Sequence, residues 1–187
     1  MISAYQDRVE RGQLQPDAAQ SSVVAHLHGL SAALAGYDNG KKRGWFSRKA
    51  QVPPRGLYLW GDVGRGKTML MDMFFAEACV ARKRRVHFND FMLDVHARIH
   101  ARRQLEQAAD VIAPVGQALA GEVSLLCLDE FQVHDITDAM LLGRLFEALL
   151  KAGVVIVATS NTPPAELYRD GLNRQLFLPF IALIEAK

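Results

Sequence analysis

A short apolar run, Leu57 to Trp60, breaks at a glycine, and a helical pattern begins at Lys67. Across the break the chain reads Gly61-Asp62-Val63-Gly64-Arg65-Gly66-Lys67-Thr68, a Gly-x-x-x-x-Gly-Lys-Thr pattern in the strand-to-helix context that gives it meaning. Glycines allow successive backbone N–H groups to curl around a polyphosphate without a Cβ in the way, and the new helix adds the positive end of its dipole. Lys67 supplies a point charge to the outer phosphates, and the Thr68 hydroxyl suits Mg2+. The expected anion cradle is Gly61, Asp62, Val63, Gly64, Arg65, Gly66, Lys67, Thr68 and Met69, and the expected ligand is a nucleoside triphosphate. The helix after it runs from Lys67 to about Ala81.

Such a loop restricts the fold, and the rest of the chain agrees with it. After Pro54 strand and helix alternate, as in parallel α/β folds. The expected strands are Gly56–Trp60, Arg85–Asn89, Val123–Leu128 and Val154–Ala158. A helix follows Asn89 through Val95 and Ile99 to about Leu105, and a shorter one covers Val111 to Ala120. Ile136 to Leu150 reads as an amphipathic helix, with Asp135 and Asp138 able to cap its start and Gly153 to stop it. From Pro164 the pattern is helical with a break near Gly171. Before the α/β part, Asp17 caps a helix carrying Val23, Val24, Leu27, Leu30 and Leu34, ending at Gly36. Lys41 to Lys49 is a basic stretch holding Trp45 and Phe46, read as a solvated linker. Residues 1–52 are therefore expected to form N-terminal helices and a linker, and 53–187 the nucleotide-binding core.

Composition narrows the class further. Half of the 187 residues are hydrophobic, which argues against disorder, and a net charge of +2 gives no strong nucleic-acid signal. Cys79 and Cys127 lie in apolar runs and are expected to be buried free thiols in a reducing compartment. No window approaches the apolar length of a membrane span, and the N-terminus lacks a signal-peptide pattern, so a cytoplasmic protein without a transmembrane segment is expected. The basic cluster Arg82 to Arg85 is read as a solvated turn entering the second strand, at the edge facing away from the nucleotide. His96 and His100 stand one turn apart, but the helix they share has an apolar face of Phe91, Val95 and Ile99, so they are read as part of an amphipathic helix rather than a metal site. Phe91 and Met92 are read as core.

The third strand ends in Asp129-Glu130 and the fourth in Ala158-Thr159-Ser160-Asn161. In a parallel sheet both ends reach the edge that carries the phosphate loop. Asp129 is the expected Mg2+ carboxylate, with Thr68, and Glu130 the group that positions and activates water in line with the γ-phosphate. Asn161 is a candidate to sense the γ-phosphate or the attacking water. A small-molecule kinase would also use a phosphate loop, but the Asp129-Glu130 pair favours water over an acceptor hydroxyl.

Taken together, Tyr58-Leu-Trp-Gly61 with its phosphate loop, Leu126 to Met140, Val157 to Asn161 and Leu167 to Phe180 resemble the ZapE cell-division ATPases, a family of AAA+ proteins with mitochondrial relatives. The resemblance includes the Gly12-Gln-Leu-x-x-Asp17-x-x-Gln20 entry and the Gly44-Trp-Phe-Ser47 insert. It implies a three-layer α/β/α AAA+ core, ATP and Mg2+ as cofactors, and a protein partner at the division ring that is remodelled at the expense of ATP. It also implies a homo-oligomer in the full-length form, with Arg174 as the candidate arginine finger reaching a neighbour's γ-phosphate. The alternative is a nucleotide-dependent binding module that hydrolyses little. Two residues depart from the family pattern: Asp62 stands where glycine is usual, and Asn89 where histidine is frequent. Family members also continue past residue 187 into a fifth core strand and a helical lid, so an open edge is expected at Gly56–Trp60.

Overall fold

In a computed structural model the chain is described over residues 1–40, 52–105 and 110–186. The basic stretch Lys41–Lys49 lies outside the described residues. Two helices come first, α1 (Ile2–Glu10) and α2 (Ala18–Leu34), followed by β1 (Leu57–Trp60), α3 (Lys67–Glu77), β2 (Lys83–His87) and α4 (Phe88–Leu105). Then come α5 (Ile112–Glu122), β3 (Leu125–Asp129), α6 (Ile136–Lys151), β4 (Val155–Ser160) and α7 (Leu178–Ala186). Two 3-10 turns, Pro164–Glu166 and Arg174–Leu176, fill the stretch before α7, and Gly171 falls between them.

The four strands of the described residues form one sheet in the order β1-β4-β3-β2, with every pairing parallel. Each strand returns to the same edge through a helical crossover, as parallel pairing requires. Central β3 and β4 are buried on both faces, and period-two alternation divides their side chains between two cores. Leu125, Cys127, Val155 and Val157 pack with Leu59, with Leu70, Met71 and Phe74 of α3, and with Tyr5, Leu27 and Leu34 of the N-terminal helices. Leu126, Leu128 and Ala158 face the opposite core, built by α4, α5, α6 and α7 around Phe88, Phe131, Leu142, Leu145 and Phe180. The result is three layers, α/β/α. β1 is a sheet edge, as expected from the strand order. Gly56, just before it, runs so close to β4 that a Cβ would stand 2.0 Å from the Ile156 carbonyl oxygen, which leaves no room for a side chain.

The N-terminal helices are fastened to this sheet. Asp17 caps α2, accepting from the backbone N–H of Ala19 at 2.8 Å and Gln20 at 3.3 Å. Past α2, the buried Tyr37 hydroxyl donates to the Gly153 carbonyl at 2.5 Å, and Asn39 Nδ2 to the carbonyls of Ala120 and Val123 at 3.1 and 3.2 Å.

Several boundaries and roles differ from the sequence reading. β2 starts and ends two residues earlier than expected, and Phe88 and Asn89 already belong to α4. The shift sets Phe88, Phe91, Met92, Val95 and Ile99 at helical spacing on one buried face, so core burial overrides the strand-like look of Val86 to Phe88. α6 is capped by Asp135 alone, through the Thr137 N–H at 2.6 Å, while Asp138 turns to His96 Nε2 at 2.6 Å. Cys127 is buried, and burial pushes its thiol up to about 12, but Cys79 is exposed because α3 stops at Glu77, two residues before it.

Candidate nucleotide site

The phosphate loop follows from local backbone chemistry. Gly64 and Gly66 hold φ of +81° and +77°, the left-handed region that glycine enters without penalty, and Gly66 is the N-cap of α3. Lys67 thus enters the first turn of α3. Its ammonium donates to the carbonyls of Gly61 at 2.6 Å and Asp62 at 2.8 Å, and to Asn161 Oδ1 at 2.9 Å. Partial burial lowers the pKa of Lys67, while Asp62 and Glu130 pull it the other way. The acidic departure at Asp62 points outward: its side chain is 88% exposed and lies 4.0 Å from Arg65. Val63, Arg65 and Thr68 are exposed, and Met69 packs partly against the core under α3.

Parallel topology brings the ends of β3 and β4 to this loop. Asp129, the last residue of β3, is buried, with a side chain 9% exposed. Its Oδ1 lies 3.5 Å from the Thr159 hydroxyl, which also accepts the Glu130 backbone N–H at 3.2 Å. Glu130 takes φ +56°, a conformation that costs a non-glycine residue energy and that ends the strand abruptly. One consequence is that adjacent carboxylates have opposite surroundings. Asp129 stays in the wall, and Glu130 emerges 69% exposed, its Oε2 3.9 Å from His87 Nδ1. The loop is held by Phe131, whose N–H donates to the Thr159 carbonyl at 2.7 Å and whose carbonyl accepts the Ser160 hydroxyl at 2.6 Å.

The basic cluster is corrected by the structure. Lys83 and Arg84 are within β2, ahead of the expected start at Arg85, rather than in a solvated turn, and each of the four basic residues Arg82 to Arg85 is engaged. Arg85 faces the site instead of turning from it. It pairs with Cys127 across the β2–β3 ladder, so Asp129, two residues on, shares its face of the sheet. Arg85 Nε donates to Asp129 Oδ2 at 2.6 Å, and its Nη1 meets Asp72 of α3. Burial of the guanidinium works against its charge, but hydrogen bonds to Asp129 and Asp72 hold its pKa above the ordinary arginine value. No local pattern marks Arg85, because its partners lie 13 and 44 residues away.

Gln20 is a second residue given no role of its own by the sequence reading. Its Nε2 donates to the Arg65 carbonyl in the phosphate loop at 3.1 Å, and its Oε1 accepts from the Tyr5 hydroxyl at 3.2 Å. Asp17, Gln20, Val23, Trp60, Asp62 and Lys67 are among the residues lining a cleft of about 310 Å³ between α2 and the loop. Arg174 stands apart: its Nη2 donates to the Ala165 carbonyl at 2.6 Å, and its buried Nε has no hydrogen-bond partner among the described residues.

The donor set suits a polyphosphate with a hard divalent cation. Lys67 now spends its donors on carbonyls and an amide, which an anion would replace. Among the described residues no group of three or more His, Cys, Asp or Glu is gathered for a metal, and His100 instead meets Gln104 at 3.0 Å. A cation beside Asp129 and Thr68 would be completed by phosphate and water oxygens, the way Mg2+ is ordinarily bound.

Three-layer order, a parallel sheet and a glycine-rich loop joining β1 to α3 define the P-loop nucleotide-binding fold. Solved structures of that fold match: domain III of the replication initiation protein DnaA from Thermotoga maritima, at TM-score 0.59 and 16% identity, covers 89% of this chain and 61% of its own. DnaI, at TM-score 0.57 and 19% identity, covers 92% of this chain and 81% of its own. The chain belongs to the AFG1-like ATPase family, whose model matches residues 1–187. It is 42% identical to the cell division protein ZapE of Escherichia coli over 98% of this chain and 51% of that protein. Over 71% of this chain and 28% of the relative, it is 54% identical to lactation elevated protein 1 homolog B of Danio rerio. The chain thus spans about half the length, or less, of these curated relatives. No described helix is long and apolar enough to cross a membrane.

Proposed function

We propose that the chain binds Mg·ATP at the β1–β4–β3 edge and hydrolyses it to ADP and phosphate. The observation that carries this reading is the 2.9 Å bond from Lys67 Nζ to Asn161 Oδ1, between residues 94 apart in sequence. It joins the phosphate loop to the end of β4. In this reading the loop N–H groups and Lys67 hold the phosphates, and the cleft beside Gln20 and Val23 takes the base. Asp129 and Thr68 would hold Mg2+, which would supply positive charge to offset that of the phosphates. Glu130, exposed just past Asp129, orients a water and accepts its proton. Asn161, beside Lys67 at the end of β4, can donate from Nδ2 to the γ-phosphate or to that water.

The name of the Escherichia coli relative motivates the rest of the proposal: a cytoplasmic ATPase that assembles with copies of itself and remodels a cell-division protein partner. A second reading, a nucleotide-dependent switch with little turnover, is favoured by Arg174. Its guanidinium is bonded to Ala165 of its own chain, and as a finger it would act only when a neighbouring copy draws it out. Turnover separates the two. Glu130→Gln should keep ATP bound while phosphate release falls about 10²- to 10³-fold, the scale of losing a positioned base or charge stabiliser. Specific activity of the parent should climb with protein concentration. Equal phosphate release by Glu130→Gln and parent would refute the role of Glu130, and an activity negligible at every concentration would favour the switch.

A further inference from the structure

Asp129 is a buried carboxylate whose neighbouring cation is not the lysine of the phosphate loop. Lys67 spends its three donors on Gly61, Asp62 and Asn161. The charge beside Asp129 comes from Arg85, whose Nε meets Oδ2 at 2.6 Å, while Oδ1 has the weaker 3.5 Å contact to Thr159. Arg85 is itself only 19% exposed, and its other arm reaches Asp72. Asp72 lies four residues after Thr68, one turn along the same face of α3. The guanidinium therefore spans from the helix that carries Lys67 and Thr68 to the strand that ends in Asp129.

We propose that Arg85 is a positioning residue for the metal: clamped between Asp72 and Asp129, it fixes the Asp129 carboxylate relative to Thr68 so that a divalent cation meets both. The planar fork is what allows this, because its Nε and Nη1 address two carboxylates in fixed directions, and an ammonium has no such geometry. Holding Oδ2 leaves Oδ1, with its long contact to Thr159, as the oxygen offered to the cation shell. Without Arg85 the carboxylate would be buried beside no matching cation and free to rotate, and its alignment with Thr68 would be lost. Residues that orient a metal ligand in this way typically change metal affinity by about 10- to 100-fold when removed.

The inference rests on the Mg·ATP reading of this edge, and one experiment separates the two. Binding of a fluorescent ATP analogue (mant-ATP) is measured in Mg2+ and in EDTA for the parent, Arg85→Gln, Arg85→Lys and Asp72→Asn. Binding of Mn2+ to each nucleotide complex is followed by the EPR signal of free Mn2+. The parent should bind more tightly in Mg2+ than in EDTA. Arg85→Gln should match the parent in EDTA, which also shows that it is folded, but lose most of the Mg2+ enhancement and need about 10- to 100-fold more Mn2+. Arg85→Lys and Asp72→Asn should fall between, because each keeps one half of the clamp. An unchanged Mg2+ enhancement in Arg85→Gln overturns the proposal and leaves the Mg·ATP reading standing. So does an equal loss in both media, which would mark a merely structural role, or a tightened Mn2+ affinity, which would mean that Arg85 opposes the cation. A parent that binds no nucleotide, or binds it without regard to Mg2+, overturns both.

Discussion

The two halves of the candidate site are built in different ways. The phosphate half, β1 through α3, is assembled from consecutive residues: two glycines in left-handed geometry, one lysine entering a helix, and a strand that aims them. The carboxylate half depends on distance. Asp129 is set by Thr159 from β4, Arg85 from β2 and, through Arg85, Asp72 from α3. A local motif carries its own geometry, whereas a buried carboxylate takes its orientation and charge balance from whichever elements the fold brings beside it. The phosphate half should therefore govern whether an anion binds, and the carboxylate half whether a metal matters.

The sharpest break in this division is Lys67→Ala. It removes the only side-chain cation the phosphate loop turns inward, and ATP affinity should fall about 100-fold or more in Mg2+ and EDTA alike, since hydrogen bonds to charged groups are strong when desolvated. Equilibrium binding of labelled ATP checks this, and a loss confined to Mg2+ would erase the distinction between the halves. A smaller effect is expected at the outer support of the loop. Gln20→Ala removes the bond from α2 to the Arg65 carbonyl, worth about 0.5–1.5 kcal/mol net, so ATP affinity should weaken by about two- to tenfold without altering the Mg2+ enhancement. If binding is unchanged, the N-terminal helices merely pack beside the loop.

The same division decides what could be read from the chain before its fold was known. The phosphate loop, the alternation of strands and helices and the arrival of Asn161 near Lys67 follow from short-range pattern plus parallel topology, and the open β1 edge from the family resemblance. What escaped was non-local. The run Arg82 to Arg85 reads as solvated, because nothing in it reveals that β2 begins at Lys83 or that Arg85 shares a face with Asp129. Nothing near Gln20 in the chain points to its contact, since its partner Arg65 is 45 residues on. Asp138 is able to cap α6 by position, yet His96 claims it from a neighbouring helix. The apolar run around Cys79 suggests a buried helical position, and a helix end two residues earlier puts it in solvent.

In the proposed site one edge of the sheet brings a phosphate grip and a metal carboxylate together. Calorimetric titration of ATP into the parent and Asp129→Asn, each with Mg2+ and with EDTA, tests it most directly. The account predicts that Mg2+ tightens binding to the parent by about tenfold or more, the scale of one metal–carboxylate contact, and leaves Asp129→Asn near its EDTA value. Equal Mg2+ enhancement in both proteins would contradict it, because Asp129 would then stand beside the nucleotide without serving it.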